Sequence, residues 1–93
     1  YLAPRPSLLF SQPEPVKVVA IVPDGPPAWL EWRGQASVVR SSLGPERIAP
    51  PWWGNRHSMG TRDYYEVQDD LGRWLWVFRD RESANWFVHG QWA

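Results

Sequence analysis

The side chains of this sequence that could carry out chemistry are few and far apart. The chain of 93 residues contains two histidines, His57 and His89, and no cysteine. Two isolated imidazoles without cysteines or clustered carboxylates make poor metal ligands, so we predict no metal site and no cofactor. His57, Ser58 and Asp63 match a hydrolytic triad only in residue type, because neighbouring residues of one loop rarely reach the required geometry.

The adjacent acidic pair Asp69 and Asp70 is the remaining candidate for catalysis. Paired carboxylates can hold two metal ions for phosphoryl transfer. Here the pair falls at the tip of a predicted hairpin, where we expect two solvated turn residues. The glycine-containing segment 44–54 lacks the GK[ST] ending of a phosphate-binding loop and does not open a helix. We therefore predict that the chain is not an enzyme.

Aromatic rings on one strand could instead stack on nucleic-acid bases. Residues 73–79, RWLWVFR, alternate strictly and place Trp74, Trp76 and Phe78 on one face, with an arginine at either end. Single-strand binders combine rings and basic groups in this way. The intervening residues are also apolar and the formal net charge is zero, which favours a core role for these rings. Single-stranded nucleic-acid binding is kept as the alternative function.

Apolar alternation and turn signals predict an all-β domain that would position these side chains. The expected strands are 16–22, 28–33, 36–43, 64–68, 73–79 and 86–89. The first is β-branched and apolar at nearly every position and is predicted to be buried on both faces. The first three would form an antiparallel meander. Gly72, free to adopt positive φ, ends the DDLG hairpin turn. We predict a small antiparallel barrel or bent sheet of about six to seven short strands with little or no helix.

The remaining organisation is simple. Residues 1–15 hold four prolines and are predicted to form a semi-rigid linker, so that 16–93 would be a single small β domain. The chain begins at Tyr1 rather than methionine, and we expect it to be part of a longer protein. With no signal peptide and no apolar run of the ~20 residues that span a bilayer, we expect a cytoplasmic location and no membrane contact.

Aromatic residues outnumber the places that a core of this size offers. The chain has 8 Trp, 3 Tyr and 3 Phe, and each ring could bury about 150–250 Å². Two of the tryptophans follow two prolines in the segment 44–55, GPERIAPPWWGN, which can be neither a helix interior nor a central strand. Adjacent residues of a surface loop do not easily both face inward, so one ring is available as an anchor for a partner.

This loop supplies the predicted binding residues. Trp52, Trp53 and Arg56 are the expected contacts, with Arg62 and Tyr64 behind them. The prolines stiffen the loop, so that less conformational entropy is lost when a partner binds.

Long strings of the sequence resemble a known family. PEPVKVVAIVPDGPP, GPERI followed by WW, and TRDYY followed by GRWLWVFRD resemble the C-terminal end of the ImuB-like proteins, the Y-family DNA-polymerase-like proteins of bacterial inducible-mutagenesis cassettes. The resemblance implies an upstream polymerase-shaped body that lacks the acidic residues of a catalytic metal site. It also implies an adaptor role in error-prone translesion synthesis, part of SOS mutagenesis and DNA repair.

The resemblance further implies the partners. Such adaptors bind the replicative sliding clamp, a RecA-like partner protein and an error-prone C-family polymerase. Leu9 and Phe10 offer the apolar pair of a clamp motif, but no glutamine precedes them at the right place, so clamp binding is not assigned to this segment. We expect a non-catalytic protein-interaction module for the RecA-like partner or the C-family polymerase, with direct DNA contact less favoured.

Substitution of the loop tryptophans tests the predicted contacts. Trp52→Ala or Trp53→Ala should weaken a pull-down of these partners by at least about tenfold, because aromatic anchors dominate binding energy. The melting temperature should stay nearly unchanged. A large loss of melting temperature would show that the rings belong to the core.

Overall fold

Six antiparallel strands build the molecule. The structure, a computed structural model, describes residues 6–23, 25–49 and 61–92. The strands are β1 (Leu8–Ala20), β2 (Pro27–Trp32), β3 (Gln35–Ile48), β4 (Arg62–Asp69), β5 (Trp74–Asp80) and β6 (Trp86–Gln91). Each pairs with the next along the chain, and β1 also pairs with β6, so that the sheet closes into a ring. The predicted all-β fold is confirmed.

The ring is uneven because two strands are about twice as long as their neighbour β2. β1 has 13 residues and β3 has 14, whereas β2 has 6. The first part of β1 pairs with β6, with Leu8 opposite Gln91, and its last residues pair with β2. β3 likewise pairs with β2 only over residues 35–38 and with β4 over 39–48. Both long strands therefore change partners along their length.

Two predictions for the start of the chain need correction. β1 begins at Leu8, so residues 8–15 belong to the barrel wall instead of a linker. The prediction that 16–22 is buried on both faces is also wrong, because β1 turns only one face to the interior. Val19 is 56% exposed and Ile21 is 87% exposed.

Apolar side chains pack on both faces of the part of the sheet formed by β4, β5 and β6. The cluster inside the ring consists of Val16, Leu30, Trp32, Tyr65, Val67, Leu75, Val77 and Val88. A second cluster, here called the outer cluster, consists of Ile48, Tyr64, Trp76 and Phe78, with Phe87 and Trp92 packed against it. Successive residues of β4 and β5 alternate between the two clusters, as strand geometry requires. The preferred core role is thus confirmed for Trp76 and Phe78, whereas Trp74 is half-buried and belongs to neither cluster.

The hairpin between β4 and β5 contains a buried carboxylate. Gly72 adopts φ 82°, as the turn prediction required. Asp69, however, is 5% exposed, which corrects the prediction of a solvated pair. Its carboxylate accepts hydrogen bonds from Ser37 Oγ at 2.8 Å and Arg73 Nε at 2.7 Å. Burial alone would raise the pKa of Asp69, but these donors outweigh burial and hold the pKa below its usual range.

The same arginine connects the β4–β5 hairpin to the β2–β3 hairpin. Arg73 also donates to the carbonyl oxygens of Trp32 and Gln35, at 3.3 and 3.2 Å. The next residue, Asp70, is exposed and accepts the N–H of Val38 at 3.1 Å. The Asp69–Arg73 ion pair lies within the β4–β5 hairpin, and hydrogen bonds from its two members and from Asp70 hold this hairpin against the β2–β3 hairpin.

Neutralising the buried carboxylate should destabilise the fold. Asp69→Asn should lower the free energy of unfolding by about 3 kcal/mol, because it leaves the largely buried Arg73 guanidinium without its counter-charge. Urea denaturation measures the change. The matched control Asp70→Asn keeps an acceptor for Val38 and should cost less than about 0.5 kcal/mol. Equal losses in the two variants would contradict the assigned role of Asp69.

Candidate functional site

The five residues predicted to bind a partner are divided by the structure. Trp52, Trp53 and Arg56 lie outside the described residues. Arg62 and Tyr64 are the first and third residues of β4. Both take part in contacts of the outer cluster, so the structure brings these two together.

Arg62 and Tyr64 are linked in a short chain of hydrogen bonds. Arg62 Nη1 donates to Tyr64 Oη at 3.0 Å, and its guanidinium carbon lies 4.4 Å from the centroid of the Phe78 ring. Tyr64 Oη lies 2.8 Å from His89 Nδ1. Tyr64 is only 1% exposed. It can therefore support Arg62 at a contact surface but offers almost no surface of its own.

His89 completes this chain as a neutral imidazole. Its ring stacks on Trp76 with centroids 5.2 Å apart and an interplanar angle of 8°. Burial, followed by the positive charge of Arg62, lowers the pKa of His89 to about 4. The Tyr64 hydroxyl can then accept from Arg62 and donate its own hydrogen to Nδ1. These contacts account for His89 as a structural residue of the outer cluster.

Three carboxylates in the barrel wall, those of Glu14, Asp63 and Asp69, are paired with arginines. The ion pairs are Arg33–Glu14, Arg47–Asp63, Arg81–Asp63 and Arg73–Asp69. Among the described residues, no three His, Asp or Glu side chains are grouped so as to hold a metal ion. The charged groups of these ion pairs are thus committed to the fold.

An exposed apolar row crosses the outer face of the three-stranded side of the barrel. In the strand register, Trp29 lies opposite Val19 on β1 and opposite Val38 on β3. Directly opposed residues share a face, and the next residue, Leu30, points inward and is fully buried. Val19 and Val38 are 56% and 50% exposed, and Trp29 is half-buried between them. This row places an aromatic ring between two β-branched side chains on a rigid sheet.

A cleft continues the row toward the start of β2. It has a volume of about 340 Å³ and is lined by Ile21, Val22, residues 26–28 and residues 39–42. Ile21 and Val22 are 87% and 55% exposed. On the other side of the row, Lys17 lies opposite Glu31. The surface therefore combines an apolar centre with a polar border, which is the arrangement of protein interfaces.

Trp29 was not among the residues predicted from the sequence to bind a partner. The signal that finds it lies in residues 28–33, AWLEWR, where Leu30 and Trp32 alternate with Trp29 and Glu31. A large ring on the same strand face as a carboxylate is on the solvent face. The alternation in 28–33 therefore indicates that Trp29 lies on the outer face, where the row is found.

Known proteins match the chain along nearly its whole length. It is 39% identical over 99 aligned positions, covering 94% of the chain, to protein ImuB of Caulobacter vibrioides strain NA1000 / CB15N, and equally to protein ImuB of strain ATCC 19089 / CIP 103742 / CB 15. The chain matches a segment of ImuB. It spans 22% of the length of those ImuB proteins, which is consistent with the C-terminal domain that the resemblance indicated.

The ImuB match includes the surface described above. Because the match covers 94% of the chain, only residues at its ends fall outside, and the row and the cleft lie well within it. No family model and no solved structure matches the chain. Among the described residues, there is no helix long and apolar enough to cross a membrane.

Acid should destabilise the domain through His89. The pKa of His89 is about 4 in the folded chain and near 6.5 when unfolded, so the unfolded state binds more protons between these values. The free energy of unfolding should therefore fall by about 1–2 kcal/mol as the pH drops from 7 to 4.5, an effect reduced by partial solvent contact. Urea unfolding at several pH values measures it.

The two histidines provide the control for this measurement. His89→Asn should abolish the pH dependence above pH 4.5, whereas His57→Asn should retain it. Protonation of Asp63 and Asp69 acts at lower pH, because their pKa values are held below the usual range in the folded chain. A pH dependence that survives in His89→Asn would contradict the assignment.

Proposed function

We propose that this chain is a non-catalytic protein-interaction module of an adaptor in error-prone DNA damage tolerance. The similarity to ImuB supports a role in the mutagenesis cassette. The observation that carries the interaction role is the exposed row Val19–Trp29–Val38, which extends onto Ile21 and Val22. Soluble monomers rarely expose contiguous apolar surface of this kind unless a partner covers it.

The row has the physical properties of a binding anchor. Tryptophan is enriched among the residues that dominate binding energy. The flanking Val19 and Val38 have restricted side-chain rotamers, and all three residues are held by backbone pairing on both sides of β2. Little conformational entropy would be lost when a partner covers them, so more of the gain from burial is available for binding.

The proposed partners are the other members of the mutagenesis complex. We propose the RecA-like partner or the error-prone C-family polymerase, on the strength of the resemblance. The loop residues Trp52, Trp53 and Arg56 stay a prediction from the sequence, with Arg62 and Tyr64 as their support. The row on β1, β2 and β3 provides a second contact, argued from described side chains.

Single-stranded nucleic-acid binding is less well supported. Trp76 and Phe78 are 5% and 2% exposed and cannot accept a stacked base. Trp74 stacks on Trp92 with ring centroids 4.9 Å apart, and its indole N–H donates to Glu66 at 2.9 Å. With several arginines neutralised by carboxylates as well, little free positive charge accompanies the rings. Quenching of tryptophan fluorescence by a short oligonucleotide, reversed by salt, would reinstate this alternative.

Substitution of Trp29 tests the interaction role. Trp29→Ala should weaken binding of the chain to the RecA-like partner or to the C-family polymerase by about 30-fold or more, the loss typical of a central aromatic anchor. The melting temperature should change by only a few degrees because the ring is on the outer face. Calorimetric titration measures the affinity.

The matched control is Trp74→Ala, which truncates another half-buried tryptophan on a different strand, β5, away from the row. It should leave the affinity within about twofold of the unsubstituted chain. Failure of both partners to bind the unsubstituted chain would refute the proposed role. Equal losses in the two variants would show that the row is not the contact.

A further inference from the structure

The barrel wall has an open strand edge beside the exposed row. β2 begins at Pro27, which has no N–H to donate, and its pairing with β3 starts at Trp29 opposite Val38. β3 continues to Ile48, paired with β4 on one side. On its other side, no strand of the described residues pairs with β3 at residues 40–43. Unpaired strand edges are templates for the addition of another strand.

The strand register identifies the residue whose backbone faces this edge. Asp69 N–H donates to the carbonyl of Arg73 at 3.0 Å, so the odd-numbered residues of β4 direct their backbone groups to β5 and the even-numbered residues to β3. Ser41 and Leu43 lie opposite even-numbered residues of β4 and therefore bond to it. Ser42, between them, directs its N–H and C=O away from β4 and toward the open edge.

Ser42 also carries a polar atom without a partner. Its Oγ is buried and has no hydrogen-bond partner. Among the described residues, no other buried side-chain oxygen or nitrogen lacks one. Buried hydroxyls without a partner are uncommon, because desolvation without a hydrogen bond costs about 1–3 kcal/mol. Ser42 lines the cleft between the start of β2 and β3. Its backbone therefore faces this opening, and its hydroxyl, buried beside it, has no partner among the described residues.

The surroundings of the cleft define the chemistry of an occupant. Ile21 and Val22 line one side and Val39 the other, so alternate side chains of an added strand would meet apolar surface. Arg40 also lines the cleft, is exposed, and forms no ion pair with a described carboxylate. An acidic side chain on the occupant would complement it. A second copy of this edge would bring no carboxylate, because residues 39–43 contain none.

From these observations, we infer that the edge of β3 at Ser42 binds an extended peptide segment of another protein by strand addition, with apolar side chains in the cleft and an Asp or Glu against Arg40. Peptide recognition by strand addition takes affinity from backbone hydrogen bonds and specificity from pockets for alternate side chains. This inference deepens the proposed interaction role and rests on it, since it specifies how a partner would engage the surface next to Trp29.

Selection of peptides on the purified chain tests the inference directly. The probe is a displayed library of random peptides of about 12 residues, a length that covers an edge strand. The enriched peptides should alternate apolar with other residues and carry an Asp or Glu. In the complex with the best peptide, amide hydrogen exchange of Ser42 should slow by at least about tenfold. The amides of Ser41 and Leu43, already bonded to β4, should change little.

Three variants separate the edge from general stability. Ser42→Ala should weaken the peptide by about five- to tenfold, because the hydroxyl can rotate to bond a peptide in the cleft. It should not lower the melting temperature, because the hydroxyl has no partner in the free chain. The matched control Ser41→Ala should leave the affinity unchanged. Arg40→Glu should weaken an acidic peptide about tenfold and bind the same peptide better when its acidic residue is replaced by lysine.

The outcomes distinguish this inference from the proposed function. Absence of enriched peptides, or binding that leaves the Ser42 amide unprotected, would overturn strand addition even if intact partners bind through Trp29. A dimer of the chain alone, with Ser42 protected, would also overturn it and assign the edge to a second copy. If a peptide protects Ser42 but neither partner binds, strand addition stands and the proposed partners are wrong.

Discussion

The pairing of two long strands with two neighbours each is the constraint on which the rest of the structure depends. β1 pairs first with β6 and then with β2, and β3 pairs first with β2 and then with β4. Because β1 and β3 each change partner along their length, six strands can close around one interior cluster. The same changes of partner allow β2 to be short, and the short β2 leaves an opening beside β3. The cleft and the unpaired Ser42 hydroxyl are thus products of the same geometry that closes the ring.

Charge in this molecule is used mainly to fasten the wall of the barrel. Asp63 accepts hydrogen bonds from both Arg47 and Arg81. Asp69 and Arg73, which are paired within one hairpin, also form hydrogen bonds with the β2–β3 hairpin. Because these carboxylates are ionised and bonded, the arginines that hold them are not free to bind phosphate groups. Among the described residues, the exposed apolar row has Arg40 nearby, a combination that suits another polypeptide better than a nucleic acid.

Strict local patterns could be predicted from the sequence, whereas features that depend on distant partners could not. The alternation of 73–79 and the turn at Gly72 identified β5 and its hairpin, because both are set by adjacent residues. Residues 8–15 were taken for a linker because of their prolines, yet the register of β1 against β6 shifts between Leu9 and Glu14. A proline can be accommodated at such an irregularity, where ladder hydrogen bonds are absent. The burial of Asp69 depends on Ser37, 32 residues away, and no local pattern reports it.

In the candidate surface too, some features are set by adjacent residues and others depend on distant partners. The sequence predicted more rings than one interior can hold, with the surplus exposed. The structure places several of them in the outer cluster, and no aromatic ring of the described residues is among the exposed large apolar side chains. Trp29 could have been found from its alternation with Leu30. Ser42 could not, because its importance comes from the register of β3 against β4 and from where β2 begins.

The pairing of Leu8 with Gln91 has a consequence for how the molecule is made. The strands β2 to β5 can pair in succession as they leave the ribosome, but β1 must wait for the last strand before its first half finds a neighbour. Until then β1 and β5 each present a bare edge, and the interior is open to water between them. Closure joins residues that are far apart in the chain, which makes it an intrinsically slow step. Before closure, the unpaired edges of β1 and β5 are the main places where incorrect strand pairing can occur.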